Sequence, residues 1–318
     1  MSQIKSYLKS FIKVLKNTAV GFSEFKILKI SASLAYITVF SLAPLLLVVL
    51  FIFDVFWGKE MIEDMIFNNA KDYVGASTAS QLREMIQNLT LSNNNTLSAA
   101  IGIGSLVFGA TSLFAEIQDS INTIWGVRPK KSSGLWLFIK NRLLSFGVIG
   151  SLGFIMLVAL GFSTLLDSLQ EYLTQRYSDT IIYVLYAVNI FVTVLITSLL
   201  FAAIFVILPD AKIKWRQVRL ASITTTLLFL IGKFGISFYI TSSNINTIYG
   251  AAGSIVILML WVYYSSVILY LGATFAKFYA IEFSTAIKPS EFAEIVQKVE
   301  ITSDSKSLQE EEKKKPLE

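Results

Sequence analysis

Apolar residues run along this chain in six blocks, each long enough to cross a bilayer and each bounded by polar connections. About 20 such residues in a helix span the hydrocarbon layer. The blocks cover 30–53, 97–115, 143–166, 181–208, 220–240 and 250–280. The predicted fold is therefore all-α: a polytopic membrane protein with a six-transmembrane-helix bundle as its membrane domain, 30–280. Residues 54–96 between spans one and two are polar and acidic. Short amphipathic pieces around Met61–Tyr73 and Ser80–Leu89 predict a small helical extracytoplasmic cap there.

Polar and small positions inside the spans are periodic. Span one carries Ser31, Ala35, Thr38 and Ser41 on a helical face, and Pro44 removes the amide that would bond the carbonyl of Phe40, which predicts a kink. Span two repeats Ser98, Gly102, Ser105, Gly109 and Ser112 at steps of four and three, a seam that admits close approach by another helix. The same steps lead on to Glu116 and Asp119, two carboxylates at the membrane edge. They suit either a cation or gate site or pairing with Arg128, Lys130 or Lys131, and the second is the commoner use of juxtamembrane charges. Span three contains Gly147, Gly150, Gly153 and Gly161, and span four aligns Tyr186, Asn189, Thr193 and Thr197. Span six exceeds the length a bilayer needs, so its end is expected to project into the cytoplasm.

Span five holds the one basic side chain buried in an apolar run, Lys233, on the face of Ser222, Thr226 and Ser237 with Phe229 between them. An ammonium near membrane depth costs roughly 3 kcal/mol on insertion scales and normally faces a bundle interior, water or the interface. Two readings stay open. Lys233 snorkels its amine to the head groups, or it lines a cavity with Tyr36, Asn189 and Ser237 and attracts an anion.

The flanks differ from the membrane domain. Residues 1–29 place Ile4, Tyr7, Leu8, Phe11, Ile12 and Leu15 on one face and Lys5, Lys9, Lys13 and Lys16 on the other, the pattern of a helix lying on anionic lipids. No small-residue cleavage site precedes Ile30, so this segment is expected to be retained. Residues 281–318 form a charged cytoplasmic tail, with a surface helix expected at Pro289–Val299 and disorder over Ser303–Glu318.

Composition narrows the chemistry. The chain of 318 residues is 54% hydrophobic and 15% charged, with no His and no Cys. That excludes nucleophile–His pairs, His- or Cys-ligated zinc, iron–sulfur clusters and disulfides. No carboxylate cluster suited to two metals stands out, so no metal, no cofactor and no catalytic residue is expected. Charge then orients the bundle. Of the 27 Lys and Arg, 22 fall in 1–29, 116–142, 209–219 and 277–318, against four in the alternate connections. The positive-inside rule puts both termini and the loops after spans two and four in the cytoplasm.

Four separated stretches carry a resemblance: LAYITVFSLAPLLL, FGATSLFAEIQDSINTIWGV, LPDAKIKWRQV and YGAAGSIVILMLWVYYSSVILYLGATFAKFYA. Together, over about 20–282, they resemble the YihY/BrkB family of bacterial inner-membrane proteins, some of which carry a historical ribonuclease BN label. The resemblance implies a multi-pass inner-membrane protein with an envelope-integrity or transport-like role. One functional expectation is a transporter or flippase-like protein for an amphiphilic or anionic envelope component; the alternative is a non-transporting scaffold that recruits a partner protein. A ribonuclease is disfavoured because His is absent and the basic residues lie where topology requires them, so no nucleic-acid partner is expected.

Overall fold

Tight packing against one long helix organises the chain. The computed structural model describes residues 2–41, 80, 96–130, 179–242, 253–284 and 287–296. Its helices are α1 (Ser2–Glu24), α2 (Ile27–Ser41), α3 (Thr96–Trp125), α4 (Asp179–Ile207), α5 (Trp215–Ser242) and α6 (Gly253–Phe283). Four short strands accompany them: β1 (Val127–Pro129), β2 (Ala211–Lys212), β3 (Lys288–Pro289) and β4 (Ala293–Ile295). The expected third span, Pro44 and, apart from Ser80, the expected cap lie outside the described residues.

Among the described residues, three helical stretches are long and apolar enough to cross a membrane: Ala187–Ile207, Trp215–Ile236 and Ile255–Phe283. They fall on the fourth, fifth and sixth expected spans. α2 covers the first part of span one, and α3 contains span two. Large apolar side chains cover the outside of α4 at Val184, Val188, Phe191, Leu195 and Leu199, and of α5 at Ile223, Leu227, Ile231, Phe234 and Phe238. Such continuous exposed stripes would promote aggregation in water but face hydrocarbon at no cost.

α6 is the hub, with α1, α3, α4 and α5 all packed against it. Small residues make that possible: Gly272, Ala273, Ala276 and Ala280 are buried along it. At Gly272 a Cβ would overlap the Thr225 side chain of α5 and approach Phe205 of α4. At Gly232 of α5 the same atom would overlap Tyr264, whose hydroxyl donates to the Leu228 carbonyl at 2.8 Å. Thr225 and Thr274 return their hydroxyls to carbonyls one turn back, at 2.6 and 2.8 Å, so neither leaves a polar group unmet in the core.

α1 carries two apolar faces rather than one. Val14 and Thr18 are buried, and Phe11 meets Phe275 of α6 edge-on at 6.3 Å. Lys13 donates to Glu282 at 2.8 Å beside that seam. Leu8, Ile12 and Leu15 form a second stripe that stays exposed next to Lys5, Lys9 and Lys16.

The non-helical connections close on one another. β1 pairs antiparallel with β4, setting Arg128 opposite Glu294, and β2 pairs antiparallel with β3, setting Ala211 opposite Pro289. The connection after α3, the connection after α4 and the segment after α6 therefore meet at one end of the bundle. The surface helix expected from Pro289 is replaced, through Val296, by these strands. The cause lies outside the segment: α3 ends at Trp125, and Gly126, with a φ of +71°, turns the chain out of the helix. That turn leaves Gly126 O to accept from Val296 N at 2.8 Å, and Phe292 O accepts from Lys130 N at 2.9 Å.

Candidate functional site

The end platform is built on side chains that the helices present to one another's termini. α3 brings Gln118 and Asn122 to its last turns, and Pro209 breaks the chain after α4 so that Asp210 turns back toward them. Asn122 Nδ2 donates to Asp210 Oδ2 at 2.8 Å, and Asp210 N donates to Asn122 Oδ1 at 2.8 Å. Gln118 Nε2 adds a longer bond to Asp210 Oδ1 at 3.3 Å. The Asp210 carbonyl accepts from Ser290 N at 2.9 Å, so one residue holds α3, the α4–α5 connection and the final strands together. Loss of water around the Asp210 carboxyl raises its pKa above the ordinary 3.8, outweighing the lowering by the Asn122 and Gln118 amides.

A second tie lies alongside. Lys214 N donates to Gln217 Oε1 at 2.7 Å, which caps the first turn of α5, and Gln217 Nε2 donates to Ser284 Oγ at 2.7 Å just beyond α6. Between the two ties opens a cleft of about 240 Å³. Its apolar walls include Trp125, Ile281, Ile287 and Ile295, and its cations are Lys277 of α6 and Lys288 of β3. Trp125 is 8% exposed, with its ring N–H buried and unpartnered among the described residues.

The residues singled out from sequence take separate places. Lys233 is half-buried on the α5 face that carries buried Ser222 and Thr226, about 27 Å along the helix from Trp215 and so close to the end of that span. Ser222 Oγ lies 3.3 Å from Ser198 Oγ of α4. Asn189 is half-buried and accepts from Thr193 within α4 at 3.4 Å. Tyr36 is 59% exposed and packs on Phe40, with ring centroids 4.8 Å apart. Ser237 belongs to the last turns of α5, and its side chain lies outside the described residues. Glu116 is half-buried near Tyr270, whereas Asp119 is exposed. Arg128, an expected partner of those carboxylates, pairs instead with Glu294 at 2.8 Å because strand pairing sets the two side by side. Among the described residues no cluster of acidic side chains could hold a metal ion.

Sequence reading passed over Asn122, Asp210, Trp125 and Lys277. Their signal was present but divided: EIQDSIN and LPDAK each end an apolar helix with uncharged amides or a lone carboxylate, and only the fold brings the two motifs together.

Membrane-length helices with lipid-compatible outer faces, packed on a small-residue hub and interlocked at one end, define an integral membrane protein of the helical-bundle class. The particular lineage follows from comparison: residues 18–293 match the model of the virulence factor BrkB family, and the chain belongs to that family. It is 30% identical over 246 residues to a UPF0761 membrane protein of Psychromonas ingrahamii, covering 76% of this chain and 78% of that protein. YfkH of Bacillus subtilis, named as ribonuclease-like, is also 30% identical over 246 residues, covering 76% and 86%. The UPF0761 membrane protein RSc1559 of Ralstonia nicotianae is 26% identical over 253 residues, covering 78% and 54%. No solved structure matches the chain.

Proposed function

We propose that this protein moves an anionic or amphiphilic envelope component across, or between the leaflets of, the bacterial inner membrane, with both termini cytoplasmic, and is not an enzyme. The observation that carries the reading is a set of buried polar atoms without partners among the described residues: Ser31 Oγ on α2, Thr226 Oγ1 on α5 and Trp261 Nε1 on α6. Each unmet group costs about 1–3 kcal/mol, and apolar side chains of similar size would have avoided that cost. Water or a polar ligand in the bundle offsets it, and half-buried Lys233 adds a positive charge on the Thr226 face. Packing by small and hydroxylated residues is what a scaffold would also use, but a scaffold has no need of unmet polar atoms.

Thr226→Val and Lys233→Met separate the two. Valine is close to threonine in shape and removes an unmet hydroxyl, so a purely structural Thr226 predicts equal or higher stability and full function. On the transport reading both variants insert and fold normally yet fail to restore envelope resistance in a strain lacking the protein. Full complementation by both variants would sink the transport reading and leave Lys233 a snorkelling residue.

The exposed Leu8, Ile12 and Leu15 stripe, bordered by Lys5, Lys9 and Lys16, supports a resting place for α1 on anionic lipid, at about 1 kcal/mol per basic residue near the surface. Changing those three lysines to Glu is expected to lift this stripe off anionic vesicles while α1 stays docked on α6 through Phe11 and Lys13. A fluorophore at residue 12 quenched equally by bromolipids before and after the change would rule this out.

A further inference from the structure

The cleft beside the Asn122–Asp210 tie has the chemistry of an anion site set at head-group depth. Lys277 lies 24 residues beyond Gly253, about 36 Å along α6, which exceeds the roughly 30 Å of hydrocarbon a bilayer offers. Its ammonium sits 4.6 Å from the Phe25 ring centroid of the α1–α2 turn and forms no ion pair among the described residues; Glu24 acts on it only through space. Lys288 stands directly opposite Lys212 across the β2–β3 pair, a like-charge arrangement that is unfavourable by itself. Glu291 relieves Lys212 at 3.3 Å but leaves Lys288 without a carboxylate among the described residues. Two lysines thus line a cleft whose other walls are mostly apolar.

We propose that this cleft holds the phosphomonoester head group of an anionic membrane lipid. A phosphomonoester carries up to two negative charges and several acceptor oxygens, which match two lysines. Ile281, Ile287 and Ile295 would then meet the first carbons of the lipid rather than water. The volume, below the roughly 300–1,000 Å³ of drug-sized ligand sites, suits a head group and not a whole lipid. A soluble anion would gain nothing from these apolar walls. Binding here is independent of transport: a protein that moved no lipid would still present this site.

The test uses the full-length protein in an uncharged detergent, titrated calorimetrically with dihexanoyl phosphatidic acid, dihexanoyl phosphatidylcholine and inorganic phosphate. Phosphatidic acid is expected to bind at least about tenfold more tightly than either control, and Lys277→Met and Lys288→Met each to weaken it by about tenfold. Lys288 is exposed on a short strand, so its variant remains informative if Lys277→Met fails to fold. Equal binding of inorganic phosphate would assign the cleft to a soluble anion and overturn the proposal. Unchanged affinity in Lys288→Met would overturn it as well, whereas the Thr226 and Lys233 variants of the transport test are expected to bind normally.

Discussion

Gly272→Ala is expected to destabilise the bundle by about 1–3 kcal/mol, although alanine is the better helix former, because the added methyl would have to occupy space already filled by Thr225. Relief is limited on both sides. Thr225 is fully buried and β-branched, and its hydroxyl is committed to the Ala221 carbonyl at 2.6 Å, so its rotamer resists change. Phe205, the next neighbour, is also fully buried. α6 must move away from α5, and the contacts of α1, α3 and α4 with α6 are loosened along with it. Thermal unfolding in detergent should show a lowered midpoint for Gly272→Ala, with most of the loss recovered in the Gly272→Ala, Thr225→Ala double variant. Recovery is the diagnostic result, since overlapping neighbours couple and distant ones add. An unchanged midpoint in the single variant would mean that the helices do not pack as closely as described.

Asn122→Ala should have a comparable effect through a different cause. It removes both 2.8 Å bonds to Asp210 and strands a carboxylate and a backbone N–H at a partly buried junction, a loss of about 2 kcal/mol. The same junction predicts a pH dependence. Because desolvation raises the Asp210 pKa in the folded protein, the folded state holds the proton more tightly than the unfolded one. Its contribution to stability is then complete below 3.8 and is lost as pH rises through the higher folded value. Measured from about pH 4 to neutrality, wild type should lose stability relative to Asp210→Asn as pH increases. A flat difference would show that the amide donors balance desolvation, and one of the opposite sense that they outweigh it.

Much of the membrane architecture follows from one-dimensional facts. Bilayer thickness sets the length of an apolar block, so 181–208, 220–240 and 250–280 could be read as helices before any contact was known, and Ala187–Ile207, Trp215–Ile236 and Ile255–Phe283 fall on them. Helical periodicity likewise placed Ser222 and Thr226 on one face, and that face is buried. What periodicity could not supply is the partner of a face. The apolar residues of α1 read as one lipid-facing stripe, yet Phe11 meets Phe275 of α6 while Leu8, Ile12 and Leu15 remain exposed. The segment from Pro289 read as a surface helix, yet it pairs as strands because the chain beyond Gly126 and the strand at Ala211 present unpaired backbone groups to it. Asn122 and Asp210 lie 88 positions apart and carry no local pattern that joins them. Hydrophobic length and period are properties of a segment alone, so the sequence by itself determined them; hydrogen-bond partners and close helix crossings depend on which distant segment fills the remaining space, and only the tertiary structure decided those.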